Sequence, residues 1–424
     1  MSKAKIIAAL DIGSSKITTL VAQVVSDEVS ADVSVNIIGV ASCPSKGVRK
    51  GQIVNIEEAV EATIESVESA ERMAGYNLDS AFISVGGAHV ASRNSTGVVA
   101  VSSPDGEIHA DDVERVIEAA RAISLPASRE IIHVVPREYI VDGESGVRDP
   151  VGMSGVRLEV DTHLITASSP ALKNLTKTVA EVGIRVEEIV FNGYASSFSC
   201  LSSTEKELGC CLIDIGSGTT AIAAFVDGSL SYSGAIPIGS RNVTNDLAIG
   251  LRVSLETAEK VKIRLSSQKE ADMKGEKNHY MEIKEEGDGE VKKIQKRTLT
   301  EGIIKPRLNE IFTMVKLDLE RAGLINKIPS GVIVTGGGAK TFGIGESVKR
   351  VLGLPVRIAD PGGVGGLTDE IINPSFAAPI GLILYGAQTE MLRGGANLPG
   401  TKKIKLPSHA LFGKLLDTIK DLLP

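Results

Sequence analysis

Two segments of the chain carry nearly the same run of residues, and both could bind phosphate. Residues 10–16 (LDIGSSK) return in the second half of the chain as residues 213–219 (IDIGSGT), and each run lies between two apolar stretches. This pattern is typical of a β-hairpin with a tight turn. Gly13 and Gly216 allow the backbone to approach a ligand closely, and successive N–H groups and hydroxyls can then point at phosphate oxygens.

The recurrence of the turn indicates a phosphate clamp with room for a cation. Lys16 would place a positive charge near the terminal phosphates. Asp11 and Asp214 end their strands beside the turns, where two carboxylates suit a hydrated Mg²⁺ that bridges phosphates. Each turn alone could be a structural hairpin, but the pair favours the clamp. The candidate phosphate-binding residues are Gly13, Ser14, Ser15, Lys16, Gly216, Ser217, Gly218, Thr219 and Thr220.

Two further sets of residues could bind a nucleoside. Gly336, Gly337 and Gly338 follow an apolar strand at 331–335 and precede a helix near 344–352. A Gly-rich turn there suits close approach of a nucleotide, although the pattern is not GxGxxG. A common structural turn is the open alternative.

The second set lies on one face of a predicted helix at 255–267, where Glu259, Lys262 and Ser266 follow one another at helical spacing. A carboxylate can bind ribose hydroxyls, and a lysine stem can cover an adenine face. The open alternative is a surface ion pair between Glu259 and Lys262.

The composition excludes several classes of function. The chain has 424 residues and a net charge of −7, which argues against nucleic-acid binding. Aromatic residues make up only 3% and Trp is absent, so base stacking has little support. The four cysteines form no CxxC pair, and the sequence contains no P-loop, GxSxG or paired-His motif. No apolar run is long enough for a membrane span, so we expect a cytoplasmic protein.

The duplication predicts a two-lobed α/β protein. Within the first half, a helix at 111–123 lies between strands at 96–101, 130–141 (interrupted at Pro136) and 156–167. These elements form a separate α+β unit at about 82–163. Within the second half, an exposed hairpin is expected in 267–300 and a long helix from about 301 to 322.

The last residues of the chain have the pattern of an amphipathic helix. Residues 408–424 place their large apolar side chains on one broad face, behind a Gly/Pro/Lys linker at 393–407. Such a helix could dock on its own globular body. Its position at the terminus favours an interfacial anchor on an anionic lipid surface, to which Lys402, Lys403 and Lys405 would be attracted. The candidate membrane-binding residues are Leu411, Phe412, Leu415, Leu416, Ile419, Leu422 and Leu423.

These features resemble the FtsA family of actin-like bacterial cell-division proteins, within the actin/Hsp70/sugar-kinase ATPase superfamily. The resemblance covers nearly the whole chain and includes the two turns, the glycine loop and the Glu-x-x-Lys helix. Further matching segments are 236–251 (IPIGSRNVTNDLAIGL), 258–262 (AEKVK), 303–311 (IIKPRLNEI) and 374–386 (PSFAAPIGLILYG).

The resemblance implies a duplicated actin-like two-lobed ATPase fold with an inserted subdomain in the first lobe. It implies ATP and Mg²⁺ as ligands, with the two turns on the phosphates and Gly336, Gly337, Gly338, Glu259, Lys262 and Ser266 on the adenosine. The implied division is 1–81 and 164–195 (first-lobe core), 82–163 (insert), 196–240 and 302–392 (second-lobe core), 241–301 (upper subdomain), 393–407 (linker) and 408–424 (membrane helix).

The resemblance also implies a role at the division site. Such a protein polymerises on the cytoplasmic face of the membrane as a peripheral protein and tethers FtsZ to it, with other division proteins as partners. The FtsZ tail would dock on 241–301 and the following helix, with Arg307 and Glu310 as contacts and Lys292, Lys293, Lys296 and Arg297 nearby. A PilM-like pilus scaffold and a metabolite kinase are the alternatives.

The same comparison bears on catalysis by Asn192, Asp11 and Asp214. Relatives that hydrolyse ATP well carry Glu or Gln where this chain has Asn192. Asparagine can orient water but cannot accept its proton. We therefore expect good nucleotide binding with slow turnover, so that the nucleotide acts as an assembly switch.

Overall fold

The computed structural model describes residues 3–26, 33–267, 280–284 and 291–394. The predicted membrane helix and most of the predicted linker lie outside these residues, as does the tip of the hairpin expected in 267–300.

The first half of the chain builds a six-stranded sheet around the first repeated turn. The opening strands β1 and β2 pair antiparallel along their whole length, and the turn between them is residues 13–15. The elements of this part are β1 (Lys3–Ile12), β2 (Lys16–Ser26), β3 (Val33–Pro44), β4 (Val48–Arg49), β5 (Gln52–Ile53), α1 (Ile56–Ala74) and β6 (Ser80–Val85).

A four-stranded antiparallel sheet with one helix follows, in the strand order β7-β10-β8-β9. The helix packs on one face through Val113, Val116 and Ala120. The elements are β7 (Ala91–Ala100), α2 (Ala110–Arg121), β8 (Arg129–Val141), β9 (Glu144–Val147) and β10 (Arg157–Ser168).

The predicted interruption at Pro136 is wrong, because β8 continues through this residue. Beside this residue, the pairing of β8 with β10 shifts by one residue: Glu138 pairs with Asp161, whereas Pro136 pairs with Thr162. Such a bulge accommodates a residue that has no N–H to donate.

The chain then returns to the first sheet and crosses to the second lobe. Strand β11 (Arg185–Phe191) adds to β6 in parallel, and a short strand from near the end of the described chain, β19 (Gly365–Gly366), adds to β3, which gives the sheet order β11-β6-β1-β2-β3-β19. The helix that follows β11 begins at Asn192. The elements are α3 (Ser169–Glu181), β11 (Arg185–Phe191), α4 (Asn192–Cys200) and α5 (Ser203–Leu208).

The second lobe repeats the pairing pattern of the first in a sheet of order β14-β13-β12-β17-β18. As β1 pairs antiparallel with β2 and parallel with β6, so β12 pairs antiparallel with β13 and parallel with β17. The elements are β12 (Cys210–Ile215), β13 (Thr220–Val226), β14 (Ser229–Ile236), α6 (Ser240–Leu251), α7 (Leu255–Ser266), β15 (Tyr280–Lys284), β16 (Val291–Gln295), α8 (Lys296–Leu299), α9 (Lys305–Arg321), β17 (Val332–Thr335), α10 (Ile344–Leu352), β18 (Val356–Ile358), β19 (Gly365–Gly366) and α11 (Ala377–Gly394).

The long helix of this lobe begins earlier than predicted. A π-helical turn, Thr300–Ile304, joins α8 to α9, so the helix starts at Lys296 rather than near 301. The hairpin before it is only half solvated, because Met281 and Ile283 are buried on its inner face.

The last described helix, α11, packs against β1 and across α4, the helix that leads from the first lobe to the second. It continues through Gly394 and so includes the first two residues of the linker predicted to start at 393. The mixed α/β architecture with two similar sheets confirms the predicted fold class, and the two repeated turns occupy equivalent positions in the two halves.

Candidate functional site

The two repeated turns face each other across one small cavity. Both close in the same way: the N–H of Gly13 donates to the Lys16 carbonyl at 3.1 Å, and that of Gly216 donates to the Thr219 carbonyl at 2.9 Å. The cavity between them has a volume of about 210 Å³. Its walls include Asp11, Gly13, Ser14, Ser15, Lys16, Gly51, Asn192, Asp214, Gly216, Ser217, Gly218, Thr219, Gly336 and Gly337.

Asp11 and Asp214 enter this cavity from the buried ends of β1 and β12. Each carboxylate accepts a hydrogen bond from a serine hydroxyl: Ser84 of β6 donates to Asp11, and Ser196 of α4 donates to Asp214 at 2.6 Å. Burial raises the pKa of Asp214 to about 6 and also raises the pKa of Asp11. Neither serine belongs to a motif, so only the tertiary contacts identify them.

This pair of carboxylates fits a divalent cation. The negative charge of Asp11 also raises the pKa of Asp214, and a cation close to both carboxylates would stabilise their charged forms. No group of three or more His, Cys, Asp or Glu side chains suited to a metal occurs in the described part of the chain. Mg²⁺ held here would therefore take its other ligands from water and from a phosphate, as hydrated Mg²⁺ commonly does.

Lys16 lies in the wall of the cavity, but its ammonium group already has partners. Its Nζ donates to Ser375 Oγ at 3.2 Å and lies 3.6 Å from the ring centroid of Phe376, just before α11. Burial lowers the pKa of Lys16 to about 8, and the charge of Asp11 partly opposes that shift. The lysine thus links the first turn to the start of α11.

A second cavity of about 650 Å³ adjoins the first, and Ser15, Ser217 and Gly337 belong to the walls of both. One elongated ligand can therefore reach from one cavity into the other. The larger cavity has apolar walls at Leu255 and Ile263, as a flat aromatic group would require.

The three predicted adenosine contacts on α7 all line this larger cavity. Lys262 is buried, and its Nζ donates to Glu259 Oε2 at 2.8 Å and to Thr244 Oγ1 at 3.0 Å. Ser266 Oγ accepts the N–H of Phe342 at 3.1 Å. The ion pair that sequence reasoning left open does form, but in the cavity wall rather than on the surface.

The glycine loop lies at the junction of the two cavities. Gly336 has a φ of +86°, and a Cβ built on it would lie 2.2 Å from Asp214 Oδ1. A glycine is therefore required for the Asp214 carboxylate to keep its place. Gly338 packs behind the loop against Ile215, and the Thr220 hydroxyl donates to the Ile238 carbonyl. These last two predicted contacts lie outside both cavity walls.

Asn192 lies in the wall of the small cavity at the first turn of α4. Its amide packs against Gly86 at the end of β6. His133 of the inserted unit contacts the preceding residue: the N–H of Phe191 donates to His133 Nε2 at 3.1 Å. Asn192 therefore faces the site at the point where the insert, the first sheet and α4 meet.

The predicted FtsZ contacts lie on α9 and are engaged within the chain. Arg307 forms a two-pronged ion pair with Asp246, at 2.5 and 2.9 Å, and also bonds to Glu310. Lys292 donates to the carbonyls of Leu251 and Arg252, which end α6. The nearby basic residues are therefore partly used by the fold: Lys293 lies over the Tyr280 ring, and Lys296 is buried.

Comparisons with known proteins place the chain among bacterial cell-division proteins. A family model described as "Cell division protein FtsA" matches residues 211–381, and one described as "SHS2 domain inserted in FTSA" matches 87–166. The cell division protein FtsA of Pseudomonas aeruginosa is 39% identical over 386 residues, which cover 91% of this chain and 90% of that protein.

Solved structures of the same fold include other actin-like proteins. A PilM-PilN type IV pilus biogenesis complex aligns with a TM-score of 0.62 at 16% identity, over 90% of this chain and 98% of that chain. MreB5 of Spiroplasma citri bound to ADP aligns with a TM-score of 0.55 at 14% identity, over 92% of this chain and 99% of that chain. At these identities the likeness shows the fold alone. Among the described residues, no helix is long and apolar enough to cross a membrane.

Proposed function

The chain belongs to the FtsA family of cell division proteins, and from this premise we propose that it binds ATP with Mg²⁺ between its two lobes. The observation that carries the proposal is the small cavity that the two repeated turns enclose, with one carboxylate beside each turn: Asp214 is buried and Asp11 is half-buried. The first turn offers Ser14 and Ser15, and the second offers Ser217 and Thr219. These donors, with backbone N–H groups, suit the phosphates of a nucleotide.

The adjoining cavity supports a nucleoside at the other end of the same ligand. Its apolar walls suit a base, and Glu259, whose side chain is 43% exposed, suits the hydroxyls of a ribose. When bound, Mg²⁺ would neutralise phosphate charge, with Asp11 and Asp214 as its protein-side partners. The residues of both lobes then act on one ligand, so the lobe arrangement depends on the ligand.

We further propose that the protein assembles into actin-like filaments on the cytoplasmic face of the membrane and tethers FtsZ there. The apolar face of residues 408–424 would enter the lipid interface, and the three lysines of 402–405 would favour anionic lipid. One such helix binds reversibly, and many copies in a filament raise the effective concentration and make attachment firm.

Vesicle co-sedimentation with the full chain and vesicles that contain anionic phospholipid tests the membrane step. Phe412→Glu and deletion of 408–424 should each weaken the apparent affinity for the vesicles at least about tenfold, because the loss of one buried aromatic side chain alone removes about 2 kcal/mol. Thr418→Glu, which adds the same charge on the polar face of the helix, is the matched control and should bind as the unaltered chain does. Equal binding by Phe412→Glu would refute the anchor.

The FtsZ step uses the same assay with FtsZ added. Arg307→Ala should still reach the vesicles but recruit less FtsZ, since Arg307 lies on α9 outside both cavities. Recruitment that is unchanged by this substitution would remove α9 from the docking site. Electron microscopy on lipid monolayers, with and without ATP and Mg²⁺, tests the filament.

Turnover should be slow. We expect steady-state phosphate release below about 1 s⁻¹, the low end of typical enzymes, because the side chain of Asn192 cannot accept a proton from water. Asn192→Asp keeps the side-chain shape and adds a proton acceptor, so it should raise the rate. ATP affinity measured on the same preparations separates turnover from binding. A rate above about 1 s⁻¹ for the unaltered chain would show that the argument from Asn192 is wrong.

A further inference from the structure

A strained turn borders the phosphate cavity, and sequence reasoning did not single it out. Strands β4 and β5 form a two-residue hairpin whose tip is Lys50 and Gly51, with φ of +50° and +72°. Two consecutive left-handed residues define a type I′ turn, in which the first position favours Asn, Asp or Gly. A lysine with positive φ is conformationally costly, and such positions cluster at functional sites.

The turn contacts both repeated turns and the residue that follows β6. The N–H of Gly51 donates to Ser14 Oγ at 2.8 Å, which leaves the Ser14 hydroxyl hydrogen free to donate into the cavity. A Cβ on Gly218 would lie 3.0 Å from Lys50 Cα, so the backbone of the turn touches the second-lobe loop directly. Gly51 itself packs on the carbonyl of Gly86.

The charge on Lys50 has no partner within the described part of the chain. Its side chain is exposed and forms no hydrogen bond or ion pair there, whereas Lys16 is held by Ser375 and Phe376. The turn also lies at one end of the site: Gly51, Ser14 and Gly218 line the small cavity and none of them lines the larger one. Lys50 itself lines neither cavity, but its turn borders the small cavity and not the larger one that suits a base.

From these contacts we propose that Lys50 is a further phosphate-binding residue, which contacts the terminal phosphate of a nucleoside triphosphate and makes the site prefer the triphosphate to the diphosphate. The four-carbon stem of lysine lets its ammonium group turn from solvent towards the cavity mouth. The inference rests on the proposed nucleotide site and assigns a residue to its distal end.

Binding of ATP-Mg²⁺ and ADP-Mg²⁺ to the full chain, measured by isothermal titration calorimetry, tests this assignment. Lys50→Asn removes the ammonium group and supplies the residue that the turn favours, so this variant should fold at least as stably as the unaltered chain. It should bind ATP about tenfold or more weakly, as expected for one lost charge-assisted contact, and bind ADP unchanged. Lys50→Arg should retain the preference for ATP.

The outcomes separate the two proposals. Loss of ATP affinity alone in Lys50→Asn supports the assignment of Lys50. Unchanged affinity for both nucleotides, or an equal loss for both, overturns it while the proposed site stands. Failure of the unaltered chain to bind either nucleotide overturns the proposed site itself.

Discussion

Replacing Asp214 by asparagine should stabilise the ligand-free protein and, at the same time, remove its Mg²⁺-dependent binding of nucleotide. The Asp214 carboxyl is buried, and burial raises its pKa to about 6, so its charged form costs more free energy in the folded protein than in the unfolded chain. Asparagine is neutral at every pH and can still accept the hydrogen bond that the Ser196 hydroxyl donates. It cannot supply the negative charge that attracts a cation, so we expect at least a hundredfold loss of Mg²⁺-ATP affinity.

The sign of the pH effect follows from the raised pKa. A carboxyl that is easier to keep protonated in the folded state adds stability below its unfolded pKa, near 4, and this contribution is lost as the pH rises through about 6. A shift of this size corresponds to roughly 3 kcal/mol. The free energy of unfolding of the unaltered chain should therefore fall between pH 4 and 6 relative to that of Asp214→Asn.

Urea unfolding at pH 4, 5, 6 and 7 without nucleotide measures this difference. Asp369→Asn, which changes an exposed carboxylate outside both cavities, is the matched control and should follow the unaltered chain at every pH. If the free energy of unfolding depends on pH in the same way in the two aspartate variants, burial of Asp214 contributes nothing to that dependence. If Asp214→Asn retains Mg²⁺-dependent affinity, the cation site is wrongly placed.

Gly381→Ala should destabilise the protein by about 2–3 kcal/mol, because α11 crosses α4 with almost no space between the two backbones. A Cβ at this position would lie 1.9 Å from the carbonyl oxygen of Ala195, so one of the helices must move. Asn192 begins α4, and the partners of Lys16 immediately precede α11. The movement should therefore also weaken nucleotide binding.

Gly345→Ala is the matched control, since this glycine lies in α10 with no atom within 4 Å of its added Cβ. There the substitution should be neutral or stabilise by about 0.5–1 kcal/mol, as expected for an open helical position. Destabilisation by Gly381→Ala but not by Gly345→Ala in urea unfolding would confirm that close approach requires glycine at 381. A loss of less than about 0.5 kcal/mol in Gly381→Ala would contradict it.

The sequence by itself determined the fold class and the family, because these depend on local patterns. Residues 10–16 and 213–219 carry their strand, turn and strand in consecutive residues, and their repetition indicates two similar lobes. The 39% identity to the FtsA of Pseudomonas aeruginosa confirms the family. The extent of α8 and α9 could not be predicted in the same way, since a π-helical turn leaves no clear local pattern.

Only the tertiary structure decided how the side chains of the candidate site are held. Ser84 and Ser196 meet the two aspartates because strand order brings β6 and α4 beside β1 and β12. The Lys50–Gly51 turn reaches Gly218 across the two lobes, although these residues are far apart in the chain. Such contacts depend on how separate elements pack together, and no spacing within one segment encodes that arrangement.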